Sequence, residues 1–253
     1  MRCKILALIT LLIFSVSAFA LADEPGVMYD AAFPVTVTLD GDFTEWSSIP
    51  WHSVTHDMGW DNPTDDADGS LEFACVADND YLYFAVKIWD DAKVVDENTG
   101  GDVWQDDSIE AYVDGGNEKA GSYDDNDRQL TIGRDNVGGD VDNPMMGGQG
   151  PGSGTKAAVV DTSYGWAVEA ATPLATYGIT PAVGTVIGFN MQLNDDDDGD
   201  GRDHKLAWSA VELASGEDSW ENPQMFAELQ FVDVATAVSS DGKLATKWAA
   251  IKK

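Results

Sequence analysis

WQDDSIEAYVD, residues 104–114, decides how the rest of the chain is read. Ile109, Ala111 and Val113 fall on one side of a two-residue period, and Ser108, Glu110, Tyr112 and Asp114 on the other. That alternation marks a strand with one buried face. Its second face carries a carboxylate and a phenol, and the indole of Trp104 stands at its entrance. Such a surface suits a polar ligand with flat apolar patches, of which a sugar ring is the plainest case. It equally suits an ordinary sandwich strand whose outer face is solvated and whose Trp caps the core edge.

Similar stretches lie on both sides. Upstream, Phe73, Cys75 and Ala77 alternate up to the turn Asp78-Asn79-Asp80, and Leu82, Phe84, Val86 and Ile88 alternate after it, which predicts a hairpin. Cys75, in phase with Phe73, reads as a small core residue. Val35, Val37 and Leu39 read as an earlier strand, residues 23–32 as loose leader, and Phe43, Trp46, Ile49 and Trp51 as an irregular plug for one end of the core. Downstream, Leu130 and Ile132 mark a strand, and residues 133–154 form a long glycine-rich loop around Met145-Met146. Residues 156–160 and 164–171 read as a hairpin with Trp166 and Val168 on one side. Ile187, Phe189, Met191 and Leu193 then alternate with Gly188, Asn190, Gln192 and Asn194, giving a core face and an amide-rich face. Leu206 with Trp208, and residues 225–232, complete the set. About nine to eleven strands without a βα repeat predict an all-β fold, an antiparallel β-sandwich.

The chain opens MRCKILALITLLIFSVSAFALADEP, with Arg2 and Lys4 before an apolar run and small residues up to Ala22. That order is expected of a signal peptide over 1–22, and hence of a secreted or periplasmic protein. Beyond Ala22 no apolar run approaches the roughly 18 residues of a membrane span. Removing Arg2 and Lys4 takes the formal charge from −31 to −33, and removing Cys3 leaves Cys75 alone, with no intrachain disulfide to form. Nucleic acid and anionic membrane are poor partners for so acidic a surface. No Pro/Ser/Thr-rich linker interrupts residues 23–233, so a single domain is expected there, with 234–253 as a short tail that is basic where the rest is acidic.

Three sets of residues carry candidate chemistry. Glu110, Gln192 and Asn190 stand on non-core faces, and a carboxylate beside amides can pair with vicinal hydroxyls as acceptor and donor. Trp104, Trp208 and Trp220 lie near strand ends or loops, where an indole can meet the apolar face of a pyranose. The third set is acidic: Asp196, Asp198 and Asp200 alternate before Gly201, and Asp90 and Asp91, with Asp65, Asp66 and Asp68, form a second cluster. Ala207 stands where the Glu closing an EF-hand loop belongs, so that motif fails. The clusters fit either calcium held as a structural cofactor by sandwich loops or carboxylates left in water. Paired carboxylates of a glycosidase, such as Glu110 with Asp106 or Asp114, form an alternative. Haem iron held by Met145 or Met146 with His204 is another, with no motif tying those residues together.

The runs Leu39-Asp40-Gly41, Glu45-Trp46 and Asn79 to Tyr83 are followed by Trp104, Asp107 to Glu110 and Val113-Asp114. Gly188 to Asp195, Gly201-Arg202, Trp208 and Ser219-Trp220 come after them in order. Together they resemble carbohydrate-binding module family 9, the kind attached to xylanases, over roughly residues 28–233. The resemblance implies a calcium-containing β-sandwich in which two tryptophans sandwich the reducing-end sugar of cellulose- or xylan-derived chains. Trp104 and Trp220 match that pair, Glu110 and Gln192 match polar groups that bond sugar hydroxyls, and Trp208 matches a structural position. The chain departs from the pattern at Thr131, where the family has arginine, and at Glu217, near which it has asparagine. Oligosaccharide or polysaccharide ends are therefore the expected partners, bound without catalysis.

Overall fold

The computed structural model describes residues 25–59, 63–95, 100–149, 154–216 and 218–237. The expected signal segment 1–22 and most of the basic tail lie outside them. Twelve strands occur among the described residues: β1 Met28–Phe33, β2 His52–Val54, β3 Gly69–Ala77, β4 Tyr81–Asp90, β5 Ser108–Asp114 and β6 Asp127–Gly133 form the first half. The second half is β7 Met146–Gly147, β8 Lys156–Asp161, β9 Gly165–Pro173, β10 Val186–Asp195, β11 His204–Ala207 and β12 Ala227–Asp233. Two short helices follow β11 and β12, α1 Ala210–Ser215 and α2 Val234–Ala237.

All twelve strands belong to one hydrogen-bonded sheet with the path β7-β6-β5-β10-β12-β1-β3-β4-β9-β8, while β11 pairs with β10 and β2 with β3. The sheet is large, curled and mostly antiparallel. It differs from the expected nine-to-eleven-strand antiparallel sandwich in its twelve strands, in their single continuous sheet and in one parallel strand. β1 runs parallel to both its neighbours, over six pairs with β12 and through Ala32 opposite Val76 in β3. It thereby joins two antiparallel halves that face one another across the core.

Residues 28–32, expected as leader, thus belong to the joining strand. Ala31 and Ala32 are fully buried. Tyr29, Ala31 and Phe33 face the main core while Met28 and Asp30 are exposed, but MYDAAF carries none of the β-branched residues that usually mark a strand. Residues 35–39, expected as a strand, make one backbone bond to the sheet, Val35 N–H to the Ala77 carbonyl at 2.8 Å. Their alternation is real, but it lays Val37 and Leu39 on the outer face of β3, β4 and β9 rather than in a ladder. The plug residues follow the same course. Trp46, in a 3-10 turn over Phe43–Ser48, is buried in this second, outer cluster and not at an end of the main core. Glu169 of β9 pins the segment there by accepting from the backbone N–H groups of Asp40 and Gly41 and from Trp46 Nε1 at 2.8 Å.

The main core lies between the two halves. Phe73 of β3 meets Phe189 of β10 at a ring separation of 5.9 Å, and Trp208 packs edge-on against both. Cys75 is buried within it, as its phase predicts. On β5 and β10 the inward set is the expected one: Ile109, Ala111 and Val113 beside Phe189, Met191 and Leu193. Their outward sets come into register as Glu110 opposite Gln192 and Tyr112 opposite Asn190. This second face is polar yet buried, since Ser108, Glu110, Tyr112, Asn190 and Gln192 are all at most 2% exposed.

Trp166 of β9, opposite Ile88 of β4, is fully buried in the main core. Trp166→Ala is expected to cost about 3–5 kcal/mol through lost contacts and a residual cavity. The free energy of urea unfolding measures it.

Candidate functional site

A cavity of about 420 Å³ opens on the polar face of β5 and β6. Its rim carries two indoles, Trp104 (38% exposed) and Trp220 (44% exposed), the first in the 3-10 turn Gly100–Gln105 that leads into β5. Glu110, Gln129, Thr131, Lys205 and Asp218 contribute to its polar lining. The regular pleat puts Glu110 beside Thr131 on β6 and beside Gln192 on β10, while Lys205 on β11 pairs with Asn194, two residues along the same face.

The floor groups hold one another. Lys205 Nζ donates to both carboxylate oxygens of Asp218, at 2.9 and 2.8 Å, and lies 3.7 Å from Glu110. Glu110 also accepts from the Tyr112 hydroxyl at 2.5 Å and from Gln129 Nε2 at 2.8 Å. Burial, foremost, and then the Glu110 charge hold the Tyr112 phenol well above its ordinary range, so it stays a neutral donor. Arg202, itself on the lining, stacks its guanidinium 5.0 Å from the Trp104 ring centroid and donates to Asn194 Oδ1, which steadies that indole.

Gly148 and Gln149 of the glycine-rich stretch supply a further part of the wall. Asn136 ties that stretch together by donating to the Met145 carbonyl and accepting from the Met145 N–H. Gly148 then passes close to β6: its φ is +104°, and a Cβ there would meet the Gln129 carbonyl oxygen at 2.1 Å. Only glycine allows that approach. Next to it, Gln149 donates across the cavity mouth to the Trp220 carbonyl at 2.6 Å.

Of the five candidate ligand residues, Trp104, Glu110 and Trp220 come together on the lining, whereas Asn190 and Gln192 lie under the floor. Asn190 spends its amide on Glu212 and Ser219 and its carbonyl on Met191 N–H and Ser209 N–H. Gln192 donates to Glu212 at 2.6 Å. Both amides therefore brace the site and offer a ligand nothing directly. Lys205, Asp218, Gln129, Arg202 and Gln149 escaped the sequence reading. Their one sequence signal was weak: a lysine in phase with the amide face, and an aspartate two residues before Trp220. Thr131 does line the cavity, and Lys205 brings a cation to it from a different strand. Glu217 lies outside the described residues.

The acidic groups sort into three clusters whose ligand atoms lie within 4.8 Å of one another: Asp68-Asp197-His204, Asp90-Asp107-Asp195 and Asp196-Asp198-Asp203. Asp90, Asp196 and Asp198 of the expected set are among them. Asp91 and Asp200 are not; both are exposed, and the Asp200 backbone donates to Asp198 Oδ1. Burial first, and then neighbouring carboxylates, push Asp195 up to about 9 and raise Asp90 and Asp107 as well. Arg134 already serves Asp90 and Asp107, at 2.9 and 3.2 Å. Asp90 Oδ1 nevertheless has no hydrogen-bond partner, and neither has Oδ2 of the fully buried Asp196, whose Oδ1 accepts from Asp198 N–H and Gly199 N–H. An all-oxygen cluster with an orphaned buried carboxylate oxygen fits a hard divalent cation.

An all-β scaffold presenting a polar cavity between two rim indoles defines a ligand-binding module. The sequence profile of the family "Carbohydrate family 9 binding domain-like" matches residues 39–234, and the chain belongs to that family. It is 29% identical over 211 residues to endo-1,4-beta-xylanase A of Thermotoga maritima, covering 82% of this chain and 18% of the xylanase. It is 32% identical over 154 residues to exoglucanase XynX of Acetivibrio thermocellus, covering 57% of this chain and 13% of that enzyme. The chain thus spans less than a fifth of either relative. In fold it is similar to a carbohydrate binding module family 9 from Caldicellulosiruptor kristjanssonii solved in complex with cellotriose. The TM-score is 0.64 at 18% identity, over 81% of this chain and 94% of that one.

Lys205 is 1% exposed and is the shared partner of Asp218 and Glu110. Lys205→Met should lower stability by about 3 kcal/mol, because it strands buried negative charge. Urea unfolding reads the loss.

Proposed function

We propose that the protein binds saccharides without catalysis, taking the end of a β-1,4-linked gluco- or xylo-oligosaccharide into the cavity between Trp104 and Trp220. The observation that carries this reading is the pairing of two exposed indoles with a buried floor of fixed donors and acceptors. Pyranose rings have apolar C–H faces and a polar equatorial edge, and the cavity offers a counterpart to each. Family membership supports the ligand class, and the names of the relatives, xylanases and an exoglucanase, support the linkage.

Hydrolysis fits the geometry poorly. Glu110 and Asp218 are the cavity's two carboxylates, and Lys205 Nζ occupies the space between them. A glycosidic oxygen or attacking water would need that position. The haem alternative finds two of its residues engaged, since His204 Nδ1 bonds to Asp195 at 2.9 Å and Met146 packs against the core, while Met145 is exposed.

Calorimetry against cello- and xylo-oligosaccharides is expected to show binding, lost when the ligand is reduced to its alditol. Trp104→Ala and Trp220→Ala should each weaken it by about 2 kcal/mol while leaving the fold intact. Unchanged affinity in both variants would move the site elsewhere.

Calcium is the cation proposed for the Asp196-Asp198-Asp203 cluster, and secretion is the context proposed for the chain. A ligand held only by the native state raises stability by mass action. The melting temperature in millimolar calcium should therefore exceed that in chelator at matched ionic strength, matching being needed because any salt screens this much like charge. The Asp196→Asn variant should lose the difference.

A further inference from the structure

Beneath the cavity, Glu212 has no part in lining it and yet bonds to Ser219, the residue between the lining residues Asp218 and Trp220. Ser209 caps α1, and Ser-x-x-Glu is the sequence of a capping box, in which the glutamate would turn back to the cap residue's own N–H. Here that N–H is taken by Asn190 Oδ1 at 2.9 Å. The Glu212 carboxylate is thereby released from capping and turns inward, where it is fully buried. Its Oε1 accepts from the Ser219 backbone N–H at 2.7 Å. Its Oε2 accepts from Ser219 Oγ at 2.9 Å, from Gln192 Nε2 at 2.6 Å and from Asn190 Nδ2. Four donors on one carboxylate join β10 to the turn at 218–222.

That turn carries the wall. Ser219 sits between Asp218, the partner of Lys205, and Trp220, the rim indole. Every backbone group around it is committed: Trp220 N–H to Asp218 Oδ1 at 3.3 Å, the Ser219 carbonyl to the Tyr123 hydroxyl at 2.8 Å, and the Trp220 carbonyl to Gln149. The Ser219 N–H and hydroxyl reach into the protein toward β10 and both donate to Glu212, while the hydroxyl also accepts from Asn190 Nδ2 at 3.0 Å. We infer that Glu212 is the positioning residue of this wall, holding Asp218 and Trp220 at the separation from Trp104 and Glu110 that a sugar ring requires.

Charge supports the assignment. Burial, first, pushes the Glu212 carboxyl up to about 7; the Ser219 N–H and the Lys205 ammonium pull it down, and Asp218 pushes it up. The other ionisable groups around it are Tyr112 on β5, beside Glu110, and Tyr123 before β6; burial raises both phenols far above neutrality. Four donors suit the ionised carboxylate, while the protonated acid brings a fifth donor among them. A carboxyl raised in the folded state gives a stability term that grows as pH falls through about 7 and is complete below the ordinary carboxyl range. Anchoring of the wall has the opposite sign, being complete above about 7 and lost below it. Around Glu212, then, acidification favours the fold and disfavours the site, a pairing that a merely structural residue would not produce.

The inference depends on the saccharide reading for its affinity readout only, so a second readout is kept free of ligand. Glu212→Gln keeps the side-chain shape but replaces one accepting oxygen with a donor. It should weaken cello-oligosaccharide binding about tenfold, the effect of leaving one buried donor unmatched. Relative to wild type, the variant's affinity should lack the component that falls between pH 8 and 6; subtraction removes other groups that titrate there. Amide exchange at Ser219 and Trp220 should quicken in the variant, with or without sugar. If wild type binds no sugar while exchange quickens as described, the saccharide reading fails and the positioning role stands. Unchanged exchange at both amides, or an affinity loss with the wild-type pH profile intact, overturns the positioning role. Should Glu212→Gln not fold, Ser219→Ala, which deletes one of the four donors, carries the test: faster Trp220 exchange with several-fold weaker binding supports the role, and no change in either overturns it.

Discussion

Two cations, Arg134 and Lys205, are each buried between carboxylates, and the charged half of the molecule depends on them. The chain carries 45 acidic residues against 14 basic ones, and it still buries Asp90, Asp107, Glu110 and Asp195. Carboxylates taken out of water repel one another strongly unless a countercharge or a fixed donor stands between them. Arg134 spans Asp90, Asp107 and Asp161, joining β4, the entrance of β5 and the end of β8. Lys205 joins Glu110 on β5 to the turn at Asp218. A buried pair of this sort adds little net stability, but it fixes which elements must meet. Here it draws the loops inward over a polar sheet face that would otherwise be left to water.

That arrangement explains which elements were legible in the sequence. The β3–β4 hairpin, β5, β9 and β10 each bury one set of alternating residues against the core, and period two shows through. β1 was harder to see: Tyr29, Ala31 and Phe33 do face the core, but no β-branched residue marks the strand, and it lies between two parallel neighbours. The converse error came from residues 35–39, which alternate because Val37 and Leu39 pack on an outer face while their backbone barely joins the ladder. Alternation reports side-chain burial, and it does not report strand pairing.

The candidate site was half legible for a related reason. Trp104, Glu110 and Trp220 stood out because indoles and a carboxylate are conspicuous beside a period-two run. Asn190 and Gln192 were correctly placed on the polar face, but that face proved to be a buried layer, not a surface. Polar side chains in such a layer must satisfy each other, and Glu212 takes up their donors. Neither Glu212 nor the serine three residues before it carried any reading in the sequence. Lys205 was invisible because a lysine in an acidic chain reads as ordinary surface charge. Only the register of β10 with β11 brings it to the floor.

The buried layer also bears on how the cavity can recognise anything. Groups that reach a ligand from a mobile surface lose rotamer freedom on binding, and that loss offsets much of each new hydrogen bond. In this cavity the loss has been taken at folding: Lys205 is clasped by both oxygens of Asp218, and Glu110 is held by Tyr112 and Gln129. A polyhydroxylated ligand then meets donors and acceptors already aimed, and it exchanges water for them with little further ordering. Such exchange discriminates more than it attracts, since a hydroxyl in the wrong place leaves a buried charge unmatched. Net attraction must come from surface that water solvates poorly. The two indoles, the largest exposed apolar groups on the rim, are the part of the site that meets that requirement.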